Sequence, residues 1–314
     1  MSNSTMPGSG FTMNIGERTI PLFVGTIMNW ALLGTLAVQF MFYFLAFPKD
    51  QLRFKLLVGF IFVVEALQTL SDTRDTVRTF GSHWGDFGSL DGVGWSWFSV
   101  PVVGSIVACV GQIFFAWRIW VISRSFVMPV VIAIVTTFQL GAGLWTGIEI
   151  SRAGKYSSLQ LRYDSFQQPV AWLSATAACD LIIVASTCYY LLKPRRSDFK
   201  HSTNRMVTRI IMITVETGLL CALFALTDLA IYVQTRGNNY HLAVCIWLSK
   251  VYSNSIMLIL NSRAQIGHGS PTSQNQHSSI KFSTGPTAST TVQSYQLSGP
   301  GPEKYNEGVG NYAV

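Results

Sequence analysis

Seven apolar segments, each long enough to cross a lipid bilayer as an α-helix, dominate this sequence of 314 residues. They lie at about 20–47, 54–74, 94–122, 126–150, 169–192, 207–233 and 241–262. A helix of roughly 20 apolar residues spans the hydrocarbon and satisfies its own backbone hydrogen bonds there. Membrane strands would be about 10 residues long and alternate in polarity, so a β-barrel is disfavoured. The segments predict an all-α fold, an integral membrane bundle of seven transmembrane helices.

The charge content separates this chain from most soluble classes. Only 12% of its residues are Asp, Glu, Lys or Arg, against about 25% in an ordinary soluble chain, and 49% are hydrophobic. These values argue against a soluble enzyme, a nucleic-acid-binding protein and a disordered protein. The net charge of +7 therefore indicates contact with an anionic membrane surface, with no nucleic acid as partner.

The composition divides the chain into three parts. Residues 1–19 form a polar segment before the first helix, and residues 20–263 form the seven-helix transmembrane domain. Residues 264–314 contain no Trp, Cys or Met and are rich in Ser, Thr, Gln, Gly and Pro. Such a segment buries too little apolar surface to offset its ordering entropy, so we expect a disordered cytoplasmic tail.

The distribution of basic residues predicts the orientation of the bundle. The connections after helices 1, 3 and 5 and the end of helix 7 carry 12 Lys and Arg residues, and the opposite side carries 7. Cytoplasmic loops hold the excess, so we expect an external amino terminus and a cytoplasmic tail, in the plasma membrane or another secretory-pathway membrane. Asn3 begins a short glycosylation sequon on the external side. The basic loop 193–209 is expected to face anionic lipid headgroups, or alternatively a cytosolic partner.

The cysteines and histidines favour a non-enzymatic protein without a cofactor or metal. All five cysteines lie in apolar segments, and no CxxC motif or paired Cys and His spacing is present. Neither an external disulfide nor a zinc site is therefore expected. No histidine pair of the HxxxH type occurs, and Ser105 in helix 3 has no intramembrane histidine to act as its base.

Polar side chains inside the apolar segments are the candidate functional residues. Ionisable groups are expensive in a spanning helix, and they usually face a cavity or a partner. We predict a polar, ligand-binding pocket between helices 2, 3, 5, 6 and 7. Its candidate residues are Glu65, Gln68, Asp72, Gln112, Asp180, Glu216, Asp228, Lys250 and Asn254.

Lys250 is the only basic residue deep in the apolar segments, and its role has three alternatives. It pairs with a buried carboxylate and fixes helix 7, or it anchors an anionic ligand group, or it forms a Schiff base with retinal. Three functions are open for the protein: first a receptor-like sensor of a small or lipidic ligand, second a proton or cation conductor or transporter, and third a retinal-type photoreceptor. The conductor would use Lys250 and the carboxylates of Glu65, Asp180, Glu216 and Asp228.

A GxxxG motif, Gly143 to Gly147, lies in helix 4. Small residues at this spacing let two helix backbones approach closely. The motif therefore predicts a tight contact between helix 4 and a neighbouring helix.

Several stretches together resemble a known family of membrane proteins. They are FPKD at 47–50, GWSWFSVPV at 94–102, FFAWRIWVISRS at 114–125, VETGLL at 215–220 and SKVYSNSIMLILNSR at 249–263. This pattern is similar to seven-helix proteins abundant in mushroom-forming basidiomycete fungi, catalogued by a domain of unknown function over roughly helices 5 to 7. The resemblance implies no known activity. It places Glu216 and Lys250 within recurrent motifs of the family.

Rhodopsin-like receptors differ from this chain in their recognised motifs. Helix 3 ends in Ala116-Trp117-Arg118-Ile119, without an acid–arginine–aromatic triplet. Helix 7 has Asn254 and Asn261 but no asparagine–proline pair. A receptor interpretation thus depends on the architecture, and coupling to a G protein does not follow from it.

Overall fold

The computed structural model describes residues 4–5, 12–13, 15–82, 91–155, 158, 167–192, 201–235 and 240–267. These residues form seven long helices, as predicted: α1 Ile15–Ala46, α2 Leu52–Val77, α3 Gly104–Ser123, α4 Val127–Ala153, α5 Gln167–Leu192, α6 His201–Gln234 and α7 Leu242–Gly267. A π-helical turn, Arg78–Ser82, continues α2, and another, Phe98–Val103, leads into α3. Two short antiparallel strands, β1 Ser4–Thr5 and β2 Thr12–Met13, precede α1.

Each helix contains a stretch long and apolar enough to cross a membrane, which indicates a membrane protein. Several helices extend beyond the apolar segments: α1 begins at Ile15, inside the predicted 1–19 segment, and α6 begins at His201. Part of the predicted loop 193–209 is therefore helical, because polar residues at the end of a spanning helix can reach headgroups and water. Residues 193–200, the tail from 268 onward and Asn3 lie outside the described residues.

The two ends of the bundle carry different connections. We call the end that holds the start of α1 and the connections α2–α3, α4–α5 and α6–α7 the N-terminal face, and the opposite end the C-terminal face. At the N-terminal face, Val93 donates its backbone N–H to Gly154 O (3.1 Å), and the Asp75 carboxylate accepts the Trp95 N–H (2.6 Å). Gly94 there has φ +57°, and a Cβ would lie 2.6 Å from Asp75 Oδ2. A glycine is therefore required at this position.

Helix α7 lies at the centre, packed against α1, α2, α3 and α6. Nearer the C-terminal face, buried hydroxyls such as those of Thr187 and Thr214 accompany one large apolar cluster, to which α1, α2, α3, α4, α5 and α7 contribute. We call it the apolar plug. Its largest fully buried members are Leu36, Tyr43, Ile61, Phe115, Ile119, Ile132, Ile183 and Ile256.

An ion pair closes the apolar plug at the C-terminal face. Asp50 Oδ2 accepts hydrogen bonds from Arg263 Nη2 (2.6 Å) and from the Tyr43 hydroxyl (2.8 Å). The Arg263 guanidinium also lies 4.7 Å from the ring centre of Phe47. Burial raises the pKa of Asp50, but the hydrogen bonds from Arg263 and Tyr43 outweigh burial and hold it below its ordinary value. The FPKD stretch and the final arginine of the 249–263 stretch, far apart in sequence, thus form one contact.

Candidate functional site: a layered polar interior

A buried ion pair joins α2 to α7 near the middle of the bundle. Lys250 Nζ lies 2.9 Å from Glu65 Oε2, and both side chains are fully buried. Lys250 also donates to Gln68 Oε1 at 2.8 Å and to the Glu65 backbone oxygen at 3.4 Å. All three ammonium donors of Lys250 therefore have acceptors.

The acid of this pair is equally well satisfied. Glu65 Oε1 accepts from the Ser253 hydroxyl at 2.6 Å, and Glu65 Oε2 accepts from Ser249 at 3.2 Å as well as from Lys250. Gln68 donates its amide to the backbone oxygens of Ser99 and Ile246, both at 3.1 Å. A pair with every polar atom satisfied holds its helices firmly, since removing either partner leaves a buried charge. Of the three alternatives for Lys250, this geometry corresponds to the ion pair.

A second polar cluster joins four helices beside this ion pair. The Asp180 carboxylate in α5 accepts from the Tyr252 hydroxyl in α7 and from Gln112 Nε2 in α3 at 3.3 Å. Thr136 in α4 donates to Gln112 Oε1 at 3.0 Å and lies 3.4 Å from Cys179 Sγ. Both carboxylate oxygens of Asp180 are thus engaged by neighbouring side chains.

A third polar contact joins α1 to α2 toward the N-terminal face. Asn29 Nδ2 donates to Asp72 Oδ2 at 2.9 Å, and both residues are buried. One turn further on, the hydroxyls of Thr26 and Thr76 lie 2.9 Å apart. Asp72 is therefore held by α1, a helix that the predicted pocket did not include.

Asp228 differs from the other buried acids because it lacks a partner. Its side chain is fully buried in α6, and neither carboxylate oxygen has a hydrogen-bond partner among the described residues. The Cys245 thiol lies close to it, but a thiol is only a weak donor. Burying a carboxyl group without a hydrogen-bond partner costs free energy. Asp228 is therefore the buried acid that a further partner would stabilise most.

Two of the predicted pocket residues do not belong to this interior. Glu216 is exposed on the outer surface of α6, so the expectation of a buried acid at this position was wrong. The neighbouring residues Thr214 and Thr217 occupy the inner face of that turn instead. Asn254 is half-buried and donates to the backbone oxygens of Lys250 (2.7 Å) and Leu32 (3.2 Å). It tethers α7 to α1, and within the described ranges its side chain makes no hydrogen bond to a predicted pocket acid.

Sequence reasoning missed several members of the polar interior. Ser249, Ser253 and Tyr252 were not selected, although Ser249 and Ser253 flank Lys250 at helical spacing. A serine or tyrosine is common in membrane helices, and only the rotation of α7 shows that these three side chains face buried acids. His241 was not selected either, but its Nδ1 is buried without a hydrogen-bond partner among the described residues, and its ring centre lies 5.0 Å from that of Tyr232. Within the described ranges, no group of three or more His, Cys, Asp or Glu residues is placed to hold a metal ion.

The comparisons with known proteins add a partial match. No match appears among curated proteins or among solved structures. Residues 176–265 match a family described as "Family of unknown function (DUF6534)". The matched stretch begins within α5 and ends within α7, so it contains Asp180, Asp228 and Lys250 but not Glu65. This chain therefore contains a DUF6534 domain of unknown function at residues 176–265.

Proposed function

We propose that this protein is a receptor-like membrane sensor that binds a small or lipidic ligand in the half of the bundle nearer the N-terminal face. The observation that carries the proposal is the division of the interior into two layers. The buried acids and Lys250 lie from the middle of the bundle to the N-terminal face, and the apolar plug lies in the other half. One half offers polar ligand contacts, and the other half separates them from the cytoplasmic side.

The same division favours a sensor over a proton or cation conductor. A conductor needs polar side chains or water through the whole thickness of the membrane. In the part of the chain that the structure describes, the buried Asp, Glu and Lys residues end with Glu65 and Asp180, near the middle of their helices. Beyond them, the plug contributes closely packed apolar side chains such as Ile61, Phe115 and Ile183.

The environment of Lys250 also disfavours the retinal alternative. A Schiff base would leave at most one proton on Nζ, whereas Lys250 uses three donors toward Glu65 and Gln68. Forming the base would therefore leave acceptors of these two residues without donors. The ion pair is better explained as the fixed connection between α2 and α7 on which a binding site is built.

Helix α6 offers a route from the site to the cytoplasmic side. It carries Asp228 near the N-terminal face and Thr214 near the C-terminal face, where Thr214 accepts a hydrogen bond from Arg118 of α3. Its first turns carry the basic residues Arg205 and Arg209. We place the readout at this end of α6, with anionic headgroups or a cytosolic partner, in the plasma membrane of a fungal cell.

The proposal is tested by hydrogen–deuterium exchange of the full chain in lipid nanodiscs. Mass spectrometry first identifies molecules that co-purify with the protein, and these are removed and added back. A sensor is expected to change exchange at residues 118–127 and 201–214, at the C-terminal face, when its ligand returns. No co-purifying ligand, or ligand binding without any change at these segments, would contradict the proposal.

A flux assay separates the sensor from the conductor. Liposomes containing the protein are given a pH gradient or a cation gradient, with a fluorescent indicator inside. We expect no flux above that of empty liposomes between pH 5 and 8, because the plug closes the path. Flux that the substitution Glu65→Gln abolishes would replace the sensor proposal with the conductor.

A further inference from the structure

We propose that Asp228 anchors the ammonium group of an amphipathic amine, and that this amine is the class of ligand that the protein senses. This inference rests on the proposed function and names the chemistry of its ligand. The site lies between α5, α6 and α7 near the N-terminal face. Asp228 supplies its charged group, and the neighbouring apolar cluster supplies its walls.

Among the buried acids that the structure describes, Asp228 alone is available to a further partner. Both oxygens of Glu65 and of Asp180 accept hydrogen bonds from side chains, and Asp72 accepts one from Asn29. Asp228 is fully buried in the same layer, and both of its oxygens lack a partner. An ionised carboxylate accepts but does not donate, so a partner that binds Asp228 in this form must bring N–H or O–H groups.

The carboxylate of Asp228 also lacks a compensating charge in the part of the chain that the structure describes. Among the described residues, neither oxygen of Asp228 has a hydrogen-bond partner, charged or neutral, and Lys250 is committed to Glu65 and Gln68. Burying an uncompensated carboxylate is expensive, whereas an ammonium ion beside it supplies both an opposite charge and strong hydrogen bonds. An anionic ligand would add a second negative charge to the layer and is excluded by the same reasoning.

Apolar side chains surround the carboxylate of Asp228. Cys245, which lies beside Asp228, belongs to an apolar cluster with Trp172, Leu173, Leu242 and Ile246, and Leu229 and Tyr232 pack against that cluster. These surfaces are apolar and partly aromatic, which suits the hydrocarbon portion of an amine rather than a hydrated metal ion. A single carboxylate is also too small a ligand set for a metal.

His241 lies between this cluster and the N-terminal face. Its ring stands edge-to-face against Tyr232, 5.0 Å between ring centres, and the residue as a whole is half-buried. Burial lowers the pKa of His241 to about 4, so this imidazole is neutral at physiological pH. A neutral histidine at the approach to the site does not repel an incoming ammonium ion.

The test compares three matched probes on the full chain in nanodiscs: octylamine, octanol and octanoate. Binding is measured as an upward shift of the thermal unfolding midpoint and by direct titration. We expect octylamine to bind, octanol to bind at least about tenfold more weakly, and octanoate not to bind, because a hydrogen bond between two charged groups exceeds a neutral one. Equal binding of all three probes would show membrane partitioning only and would overturn the proposal.

Two substitutions on the same helix locate the site. Asp228→Asn keeps the shape but removes the charge, and it is expected to weaken octylamine binding at least about tenfold. Glu216→Gln removes an exposed acid of α6 and is expected to leave binding unchanged. The empty Asp228→Asn protein should be at least as stable as the wild type, since a neutral amide of the same shape replaces an unpaired buried carboxyl. Failure of that variant to fold would show that Asp228 already has a structural partner, and this too would overturn the proposal.

The outcomes for the ligand class and for the sensor remain distinct. A co-purifying ligand that alters exchange at the C-terminal face but binds equally well to wild type and Asp228→Asn would remove the amine site and leave the sensor. Octylamine binding that depends on Asp228 but changes nothing at the C-terminal face would keep the site and remove the sensor.

Discussion

Among single residues, Lys250 is expected to contribute most to stability through its charge. Replacing it with Met in the variant Lys250→Met leaves the fully buried Glu65 without its counter-ion. Breaking one side of a buried pair typically costs about 3–5 kcal/mol, so we expect a large fall in the unfolding midpoint in detergent.

The matched control removes both charges together. In the double variant Glu65→Gln and Lys250→Met, no buried charge is left unpaired, and most of the lost stability should return. If the double variant is as unstable as Lys250→Met alone, Lys250 does not stabilise the protein through the ion pair. Its contribution then comes from the packing of its long side chain.

His241 gives a stability effect that depends on pH. Burial lowers its folded-state pKa from 6.5 to about 4, so below pH 6.5 the unfolded chain gains a proton that the folded protein does not take up. Stability from this residue is therefore intact above pH 6.5, and it falls as the pH is lowered toward 4, by about 3 kcal/mol in all. Unfolding midpoints of wild type and His241→Gln should diverge over this range, and parallel curves from pH 7 to 4.5 would contradict the assignment.

The identity of the polar residues could be read from the sequence, but their partners could not. Lys250 and Glu65 are conspicuous as charges within apolar segments, because each must be compensated. Which acid pairs with Lys250 depends on how α2 and α7 are rotated about their axes. Glu216 and Asp228 are both acids within the same apolar segment, so the sequence alone does not distinguish them. In the structure, Glu216 lies on the outer face of the helix and Asp228 is buried.

At the level of elements, the contact between α3 and α4 depends on the absence of a side chain. A Cβ at Gly143 would lie 2.5 Å from Ser105 Cβ and 3.1 Å from Trp172 Nε1, and one at Gly147 would lie 2.6 Å from Val102 Cγ2. The predicted close approach of helix 4 is therefore made to α3, to the π-helical turn before it and to α5.

Gly143→Ala is accordingly expected to destabilise the bundle by about 1–3 kcal/mol, the usual effect of overpacking. Gly141 precedes Gly143 on the same helix. It is exposed, and no atom lies within 4 Å of a Cβ added there. Gly141→Ala should therefore leave stability unchanged or raise it slightly. Thermal unfolding of both variants in detergent tests the pair, and equal effects would show that the α3–α4 contact tolerates a methyl group.

The number of helices could be predicted from the sequence, because the length of each apolar segment determines whether it spans the membrane. The residues at which the helices begin and end could not be predicted in this way. The apolar segment predicts where α6 crosses the hydrocarbon, but hydrogen bonding within the helix continues to His201, through residues expected to form a loop. In α2 the polar residues Asp72 and Asp75 interrupt the apolar pattern, although the helix runs past both of them. Partners from α1 and from Trp95 satisfy these acids, and the sequence alone gives no sign of this.

For the whole molecule, the orientation of the bundle in the membrane determines which side of the membrane the polar half of the interior faces. The asymmetry of 12 basic residues against 7 predicts that the C-terminal face lies at the cytoplasm, where anionic lipids attract Lys and Arg. The polar layer and Asp228 would then open toward the outside of the cell. The opposite orientation would direct the same site at cytosolic molecules.

Two exposed lysines at opposite ends of the bundle decide this orientation. Lys155 lies at the N-terminal face beside the end of α4, and Lys49 lies at the C-terminal face between α1 and α2; both are exposed. In a background without the five native cysteines, Lys155→Cys should react with a membrane-impermeant maleimide on intact cells. Lys49→Cys should react only after permeabilisation, because the membrane shields it. Lys155→Cys leaves 12 basic residues against 6 and Lys49→Cys leaves 11 against 7, so both variants keep the excess at the C-terminal face. The reverse labelling pattern would place the Asp228 site at the cytoplasm, and the amine sensed there would be an intracellular one.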